Sequence, residues 1–141
     1  MQRDEQAIKV AREWVEKAEN DLKNAAYTLK MGKECPTDTA CFHAQQCVEK
    51  YLKAFLTFKG IDFPKTHDVG ELLMLISEKV RPELAVEEQR RLTAYATVTR
   101  YPGDYEPISL AEARGAVAIA RGVRKEVRAL MPKETLRTRR K

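Results

Sequence analysis

Apolar residues recur at steps of three and four positions along most of the chain, which is the period of an α-helix. The sequence has no long alternation of Val, Ile and Thr and no Asn-Gly or Asp-Gly pair, so β-hairpins are not expected. The pattern predicts a first helix over residues 4–31 and a second over residues 39–59. Gly32 and Gly60 follow them, and glycine commonly occupies the position after a helix.

Two further helices are predicted in the middle of the chain. Asp68 and Glu71 have the spacing of a capping box, which predicts a third helix that begins near Asp68 and ends before a proline. The apolar period places Val80 on the buried face of this helix. A fourth helix is predicted over residues 86–100.

The last predicted helix follows a loop over residues 101–107, which contains two prolines and a glycine. Ser109 and Glu112 supply a second capping box, and the apolar period then continues to about Met131. Short connections favour neighbouring helices that run in opposite directions. The sequence therefore predicts an all-α fold: an up-and-down antiparallel helical bundle of four long helices plus a shorter fifth.

Composition agrees with one helical domain. The chain has 141 residues, of which 43% are hydrophobic, enough for a core without disulfides or metals. We assign the bundle to residues 1–132. Residues 133–141 contain little apolar surface, and we expect them to form a flexible basic tail.

The positive charge of the chain is concentrated at one end. Its formal charge is +5, which raises the question of nucleic-acid binding. The last 21 residues contain nine basic and two acidic side chains, a formal +7, and the rest of the chain is slightly acidic. The body therefore has small basic clusters rather than one basic face, and the tail is expected to add weak, salt-sensitive affinity for RNA.

Several classes of protein are excluded by simple patterns. Cys35, Cys41 and Cys47 are odd in number and six positions apart, which does not fit zinc ligation, so we interpret them as structural. No uncharged apolar run approaches the length of a membrane span, and the first residues lack the order of a signal peptide. We therefore expect a cytoplasmic protein without a membrane segment and without a metal.

Histidines are the first candidates for acid–base chemistry, and the chain has two, His43 and His67. On the second helix His43, Gln46, Lys50 and Lys53 lie at i, i+3, i+7 and i+10 and share a face. Two interpretations remain open for this polar stripe. It is either a solvated face, or a surface for an anion or nucleotide phosphate or for a second copy of the chain; in either case Lys53 could pair with the glutamate four positions earlier.

A second polar site is predicted from topology. In an up-and-down bundle, the end of the second helix, the start of the third and the end of the fourth share one pole. That pole would gather the polar side chains that lie near these helix ends, Lys65, His67, Arg100, Tyr101 and Asp104. Such a group suits a phosphate, although it is equally consistent with residues that only organise the helix ends.

The second helix also carries a recognisable signature. Residues 42–54, with the core Gln-Gln-x-x-Glu-Lys, resemble the signature of HEPN domains (higher eukaryotes and prokaryotes nucleotide-binding). Supporting matches are Trp14 and Asp21 in the first helix, the segment Thr-His-Asp at 66–68, and Arg-Tyr-Pro-Gly-Asp at 100–104. The resemblance spans about residues 8–131.

This resemblance implies a helical bundle, often a homodimer, whose frequent partner is a minimal nucleotidyltransferase in a two-component system of the toxin–antitoxin kind. Many HEPN proteins are metal-independent ribonucleases that use an Arg followed four to six residues later by a His. The matching arginine is Arg100, but positions 104–106 are Asp104, Tyr105 and Glu106. The motif therefore lacks its histidine, and His67 is the only substitute that we consider for it.

We therefore predict a binding or regulatory subunit that requires no cofactor and takes an ATP-like nucleotide or RNA as its ligand. Its ligand or dimer surface would be the polar stripe of the second helix. The resemblance further implies that Tyr101 or Tyr105 is a plausible acceptor of a nucleotidyl group from the partner. The alternatives are a ribonuclease that uses Arg100 with His67, and a structural dimer module without a ligand.

Overall fold

The computed structural model describes residues 2–97 and 106–137. These ranges are helical and contain no strand, which confirms the all-α prediction. After α1 a short 3₁₀ turn spans Gly32–Glu34. The α-helices are α1 (Gln2–Leu29), α2 (Thr37–Lys59), α3 (Val69–Met74), α4 (Val86–Thr97), α5 (Leu110–Ala129) and α6 (Lys133–Leu136).

The predicted bundle of four long helices plus a shorter fifth is confirmed, and one more short helix is added to it. Within the described residues α1, α2 and α5 are long, at 28, 23 and 20 residues, and α4 has 12. Two helices are very short, since α3 has six residues and α6 has four. The four longer helices, with α4 described as far as Thr97, form the frame of the bundle.

The four longer helices alternate in direction. Asp21 of α1 contacts His43 early in α2, whereas Trp14 lies beside Lys53 late in α2, so the two helices are antiparallel. Near the end of the described part of α4, Tyr95 donates to Glu112 in the first turn of α5, 2.6 Å away, so α4 and α5 are also antiparallel. These directions confirm the up-and-down topology.

Helix α2 is the centre of the molecule. It packs against α1, α4 and α5, and 13 of its 23 residues are buried. Tyr51, Leu52 and Leu56 are fully enclosed, and Tyr51 lies on a different side of the helix from the two leucines. A helix apolar over most of its circumference is typical of a buried position. The glycine that follows it, Gly60, has φ 71° and ends it in the left-handed conformation.

Both predicted capping boxes are confirmed on their N-cap side. The Asp68 carboxylate accepts from the backbone N–H of Glu71 at 3.0 Å, and the Ser109 hydroxyl accepts from that of Glu112 at the same distance. These bonds satisfy backbone donors that have no partner inside the helix. The starts of α3 and α5 are therefore encoded locally.

The third helix is shorter than predicted, and Val80 is 38% exposed rather than buried. Ile76 is its last core residue. The Arg81 guanidinium donates twice to the Ile76 carbonyl oxygen, at 3.0 and 2.8 Å. This side chain thus satisfies a carbonyl just beyond the end of α3, which has no partner inside the helix.

The first residues after Pro132 do not form a solvated tail as expected. They form α6, in which Thr135 is fully buried, and its hydroxyl donates to the Pro132 carbonyl at 2.7 Å. Arg12 of α1 donates to the Glu134 carbonyl at 2.8 Å. The apolar pattern of the sequence does not predict the packing of α6, because its contacts are made by a threonine and a backbone carbonyl. The rest of the expected tail, 138–141, lies outside the described residues.

Candidate functional site

Asp21 of α1 holds two members of the polar stripe. Its Oδ1 lies 2.8 Å from His43 Nδ1, and its Oδ2 accepts from Lys50 Nζ at 2.6 Å. All three side chains are largely buried between α1 and α2. A carboxylate can only accept, so in neutral His43 the proton lies on Nδ1 and Nε2 carries the lone pair. This pairing orients the imidazole as a base, with a cation two turns of helix farther on.

Glu49 of α2 is the centre of a second cluster. Its carboxylate accepts from Lys53 Nζ at 2.8 Å, from Gln45 Nε2 at 3.0 Å, and from His67 Nδ1 at 2.9 Å. Burial of Glu49 raises its pKa, but the hydrogen bonds from Lys53, Gln45 and His67 outweigh it and hold the pKa below its usual value. Glu49 is thus a charged, fully bonded carboxylate in the interior.

His67 lies at the middle of α2 and not beyond its end. The segment after Gly60 runs back along the helix, so that the His67 carbonyl accepts from Gln45 Nε2 at 3.1 Å. The next residues begin α3 beside α4, where the Val69 N–H donates to Thr93 Oγ1 at 3.1 Å. The start of the third helix therefore does not lie beside the end of α2, as the predicted pole required. The connection between them is long enough to run back along several turns of α2.

A third cluster joins α1, α2 and α5. Arg124 binds the Glu19 carboxylate with two nitrogens, Nε at 2.6 Å and Nη2 at 3.2 Å. The Tyr51 hydroxyl donates to Glu19 and accepts from Arg128 Nη1 at 3.2 Å. Burial raises the pKa of Tyr51, so this phenol is neutral at physiological pH. Burial also opposes the charge on Glu19, but hydrogen bonds from Arg124 and Tyr51 lower its pKa overall.

The polar stripe is therefore divided between two carboxylates. His43 and Lys50 bind Asp21, while Lys53 binds Glu49 and Gln46 donates to Gln45 Oε1 at 2.7 Å. The predicted pair of Lys53 with the glutamate four positions earlier is confirmed. The stripe is not a freely solvated face, because its cations are engaged with these carboxylates.

The second polar site is described only in part. Lys65 is exposed on the connection between α2 and α3, and 59% of the His67 side chain is exposed beside Glu49. The other members of that site and the second tyrosine considered as an acceptor lie outside the described residues, namely Arg100, Tyr101, Asp104 and Tyr105.

Sequence reasoning did not assign Glu19, Tyr51 or Arg124 to a site. Two of them could have been noticed as polar residues within an apolar pattern. Glu19 follows the core residue Ala18, and Tyr51 lies on the buried face of α2. Asp21 entered only as part of the family resemblance. Its contact with the stripe could not be read from the sequence, because it depends on how α1 packs on α2.

Three further features of the described residues concern metal binding, the cysteines and membrane crossing. Over residues 2–97 and 106–137, no three His, Cys, Asp or Glu side chains are grouped to hold a metal ion. Cys41 and Cys47 are buried, and burial raises the pKa of Cys47 well above its usual value. None of the helices within those same ranges combines the length and hydropathy that a membrane crossing needs.

A family model described as HEPN domain matches residues 11–130. Among curated proteins the chain is similar to "Putative toxin MJ1304" of Methanocaldococcus jannaschii. The two are 30% identical over 106 residues, which cover 70% of this chain and 67% of the relative.

Two crystal structures have a similar fold. ST0689, described as an archaeal HEPN homologue, superposes with a TM-score of 0.67 at 27% identity, covering 85% of this chain and 96% of that one. TT1696 from Thermus thermophilus gives a TM-score of 0.71 at 29% identity, covering 86% and 98%. The family match extends over most of the chain, and the resemblance seen in the sequence is confirmed: this protein belongs to the HEPN domain family.

Proposed function

We propose that this chain is the HEPN component of a toxin–antitoxin-type two-component system, and that it acts there as a binding or regulatory subunit. Family membership and the relative named as a toxin support the system. The observation that carries the subunit role is the sequence after Arg100, where Asp104, Tyr105 and Glu106 stand in place of the expected histidine. Carboxylates and a phenol do not shuttle protons near neutral pH as imidazole does.

The contacts of the two histidines also favour a binding role. His43 is tied to Asp21 and His67 to Glu49, and both carboxylates are at the same time bonded to a lysine. The bond to Asp21 holds the His43 ring between α1 and α2, and the bond to Glu49 fixes the exposed His67 ring against α2. The ribonuclease alternative needs one of these rings to serve as the acid–base group instead.

An RNA-cleavage assay separates the subunit from the ribonuclease. Purified chain is incubated with total RNA beside Arg100→Ala and His67→Ala variants, with Lys79→Ala as an exposed control. We expect intact RNA in every sample. Cleavage by the wild type and the control that is lost in both other variants would establish the ribonuclease and overturn the subunit role.

The proposed partners are a minimal nucleotidyltransferase and a second copy of this chain. The surface proposed for the second copy is the polar stripe together with Phe42, which is 40% exposed next to His43. The proposal requires a nucleotidyltransferase gene next to this one. Co-expression with a tag on the nucleotidyltransferase alone should give one complex in light scattering, with two copies of this chain. No adjacent gene, or separate elution of the two proteins, contradicts the partnership.

An ATP-like nucleotide is the proposed ligand of the stripe formed by His43, Gln46, Lys50 and Lys53. Lys50 is the more accessible cation of the stripe, with 20% of its side chain exposed, and its pairing with Asp21 fixes its position, which lowers the entropic cost of binding a phosphate. Calorimetric titration of ATP into the chain should release heat, and Lys50→Met should abolish it. Equal heats for both proteins, or none for the wild type, would indicate a structural module without this ligand.

Modification by the partner is proposed at Tyr101 or Tyr105. The nucleotidyltransferase would transfer AMP from ATP to the phenol oxygen and release pyrophosphate. Intact-mass measurement after incubation with the partner and ATP should show the addition of AMP, which is lost when both tyrosines are changed to Phe. An unchanged wild-type mass contradicts the modification.

A further inference from the structure

An open groove runs between α1 and α5, on the side of α5 away from its buried face. Its volume is about 720 Å³. Three arginines and a lysine of α5 contribute most of its polar lining, with one carboxylate from α1. The lining residues are Glu19, Leu22, Arg121, Arg124, Lys125, Arg128 and Ala129.

The groove carries a formal charge of +3, because four cations face one carboxylate. The Glu19 carboxylate already forms a bidentate salt bridge with Arg124. Arg121 and Lys125 are exposed, and no salt bridge to either occurs within residues 2–97 and 106–137. They lie four positions apart on one helix face, where like charges repel and cost stability. An uncompensated pair of this kind suits an anionic ligand.

The spacing of the cations indicates more than one phosphate. Arg121 and Arg128 are seven residues apart in α5, which is about 10 Å along the helix axis. This distance exceeds the reach of one phosphate group and fits successive phosphates on a strand. Arg128 is also held in place, since its Nη1 donates to the Tyr51 hydroxyl.

The lining consists of four long cationic side chains, one carboxylate that is already paired with Arg124, and two aliphatic residues. It has no aromatic ring on which a base could stack, and Tyr51 behind it is buried and bonded on both sides of its hydroxyl. Base-edge contacts give sequence specificity, whereas phosphate contacts position a strand without reading it. The groove therefore suits a polymer backbone better than a free nucleotide, which needs a site for its base.

We propose that the groove between α1 and α5 binds the phosphate backbone of an RNA strand through Arg121, Lys125 and Arg128. The site is separate from the stripe on α2 and needs no partner protein, so it goes beyond the proposed function. Binding is sequence-independent and weakens steeply with salt, because it releases counterions from the strand.

The test is fluorescence anisotropy of the full chain with a labelled, unstructured RNA of about 20 nucleotides, longer than one binding site of this kind. The variant Arg121→Gln/Lys125→Gln removes two exposed cations. Loss of two phosphate contacts should lower the slope of log K against log salt by about 1.4, or affinity by about 25-fold at 0.1 M salt. Circular dichroism checks that the fold is retained.

Two matched proteins make the result specific. Lys33→Gln/Lys79→Gln removes the same charge at exposed positions outside the groove, and a chain that ends at Arg137 lacks three further basic residues of the terminus. Both should bind within about threefold of the wild type. No binding by the wild type, equal losses in the two double variants, loss only on truncation, or displacement by ATP at an equal phosphate concentration overturns the proposal. None of these results affects the co-purification test of the partner.

Discussion

The carboxylate of Glu49 is the most informative single group to remove. Glu49→Gln keeps the shape of the side chain but deletes the charge that Lys53 Nζ meets at 2.8 Å. Only 4% of the Glu49 side chain and 10% of the Lys53 side chain are exposed, so the ammonium cannot recover its hydration in place. Breaking a buried pair by removing one partner costs roughly 3–5 kcal/mol.

The lower end of that range applies here, about 3 kcal/mol, because the lysine ammonium also lies over the Trp14 ring at 5.5 Å. For a chain of this size the loss corresponds to a melting temperature lower by about 10 °C. Urea unfolding followed by circular dichroism gives the free energy directly. The double variant Glu49→Gln/Lys53→Met should recover part of it, since neither charge then remains in the interior.

The control is Glu87→Gln in α4. Glu87 and Arg90 form an exposed pair at 3.7 Å, with 74% and 75% of their side chains accessible. Exposed pairs contribute little, so this variant should unfold at the wild-type urea concentration. The reasoning is refuted if Glu49→Gln behaves like the control, or if the double variant is less stable than the single one.

Three further predictions concern the buried polar groups and α6. The pKa values of Glu19 and Glu49 are lowered in the folded chain, so their stabilisation is present above the unfolded value of about 4.3 and is lost as pH falls through the lower folded values. Urea midpoints should therefore fall below about pH 4, and less so in Glu49→Gln. Tyr51→Phe should cost about 1–2 kcal/mol in the same titration, because it removes a buried hydroxyl with two partners. A chain that ends at Arg137 should melt like the full chain. A chain that ends at Met131 loses the buried threonine of α6, so its free energy of unfolding should be lower by about 1–3 kcal/mol. Equal melting curves for the two truncated chains would contradict the docking of α6.

Local signals were sufficient for much of the fold. The apolar period placed α1, α2 and α5, and the side chains of Asp68 and Ser109 marked the starts of α3 and α5. These features depend on residues within one or two turns of each other, so a single sequence contains them. The early end of α3 was missed because it depends on a guanidinium that binds a carbonyl five residues earlier.

The polar clusters were less accessible to sequence reasoning. Lys50 lies 29 residues after Asp21, and Arg124 lies 105 residues after Glu19. Pairing over such separations depends on how far each helix is rotated about its axis, which the apolar period determines only coarsely. The members of the stripe on α2 were therefore identified as a polar group, while the carboxylate from α1 that holds two of them was not.

The pair of Glu19 with Arg124 also has a consequence for how the chain is made. Ribosomes add about 5–20 residues each second, so the guanidinium emerges about 5–20 s after its carboxylate. During that interval α1 and α2 are complete, yet Glu19 has only the phenol of Tyr51 as a partner. Until α5 is made, the side of α1 that carries Glu19 is open to water, which hydrates the carboxylate. The last long helix to leave the ribosome therefore brings both the cover and the counter-charge for a carboxylate made near the beginning of the chain.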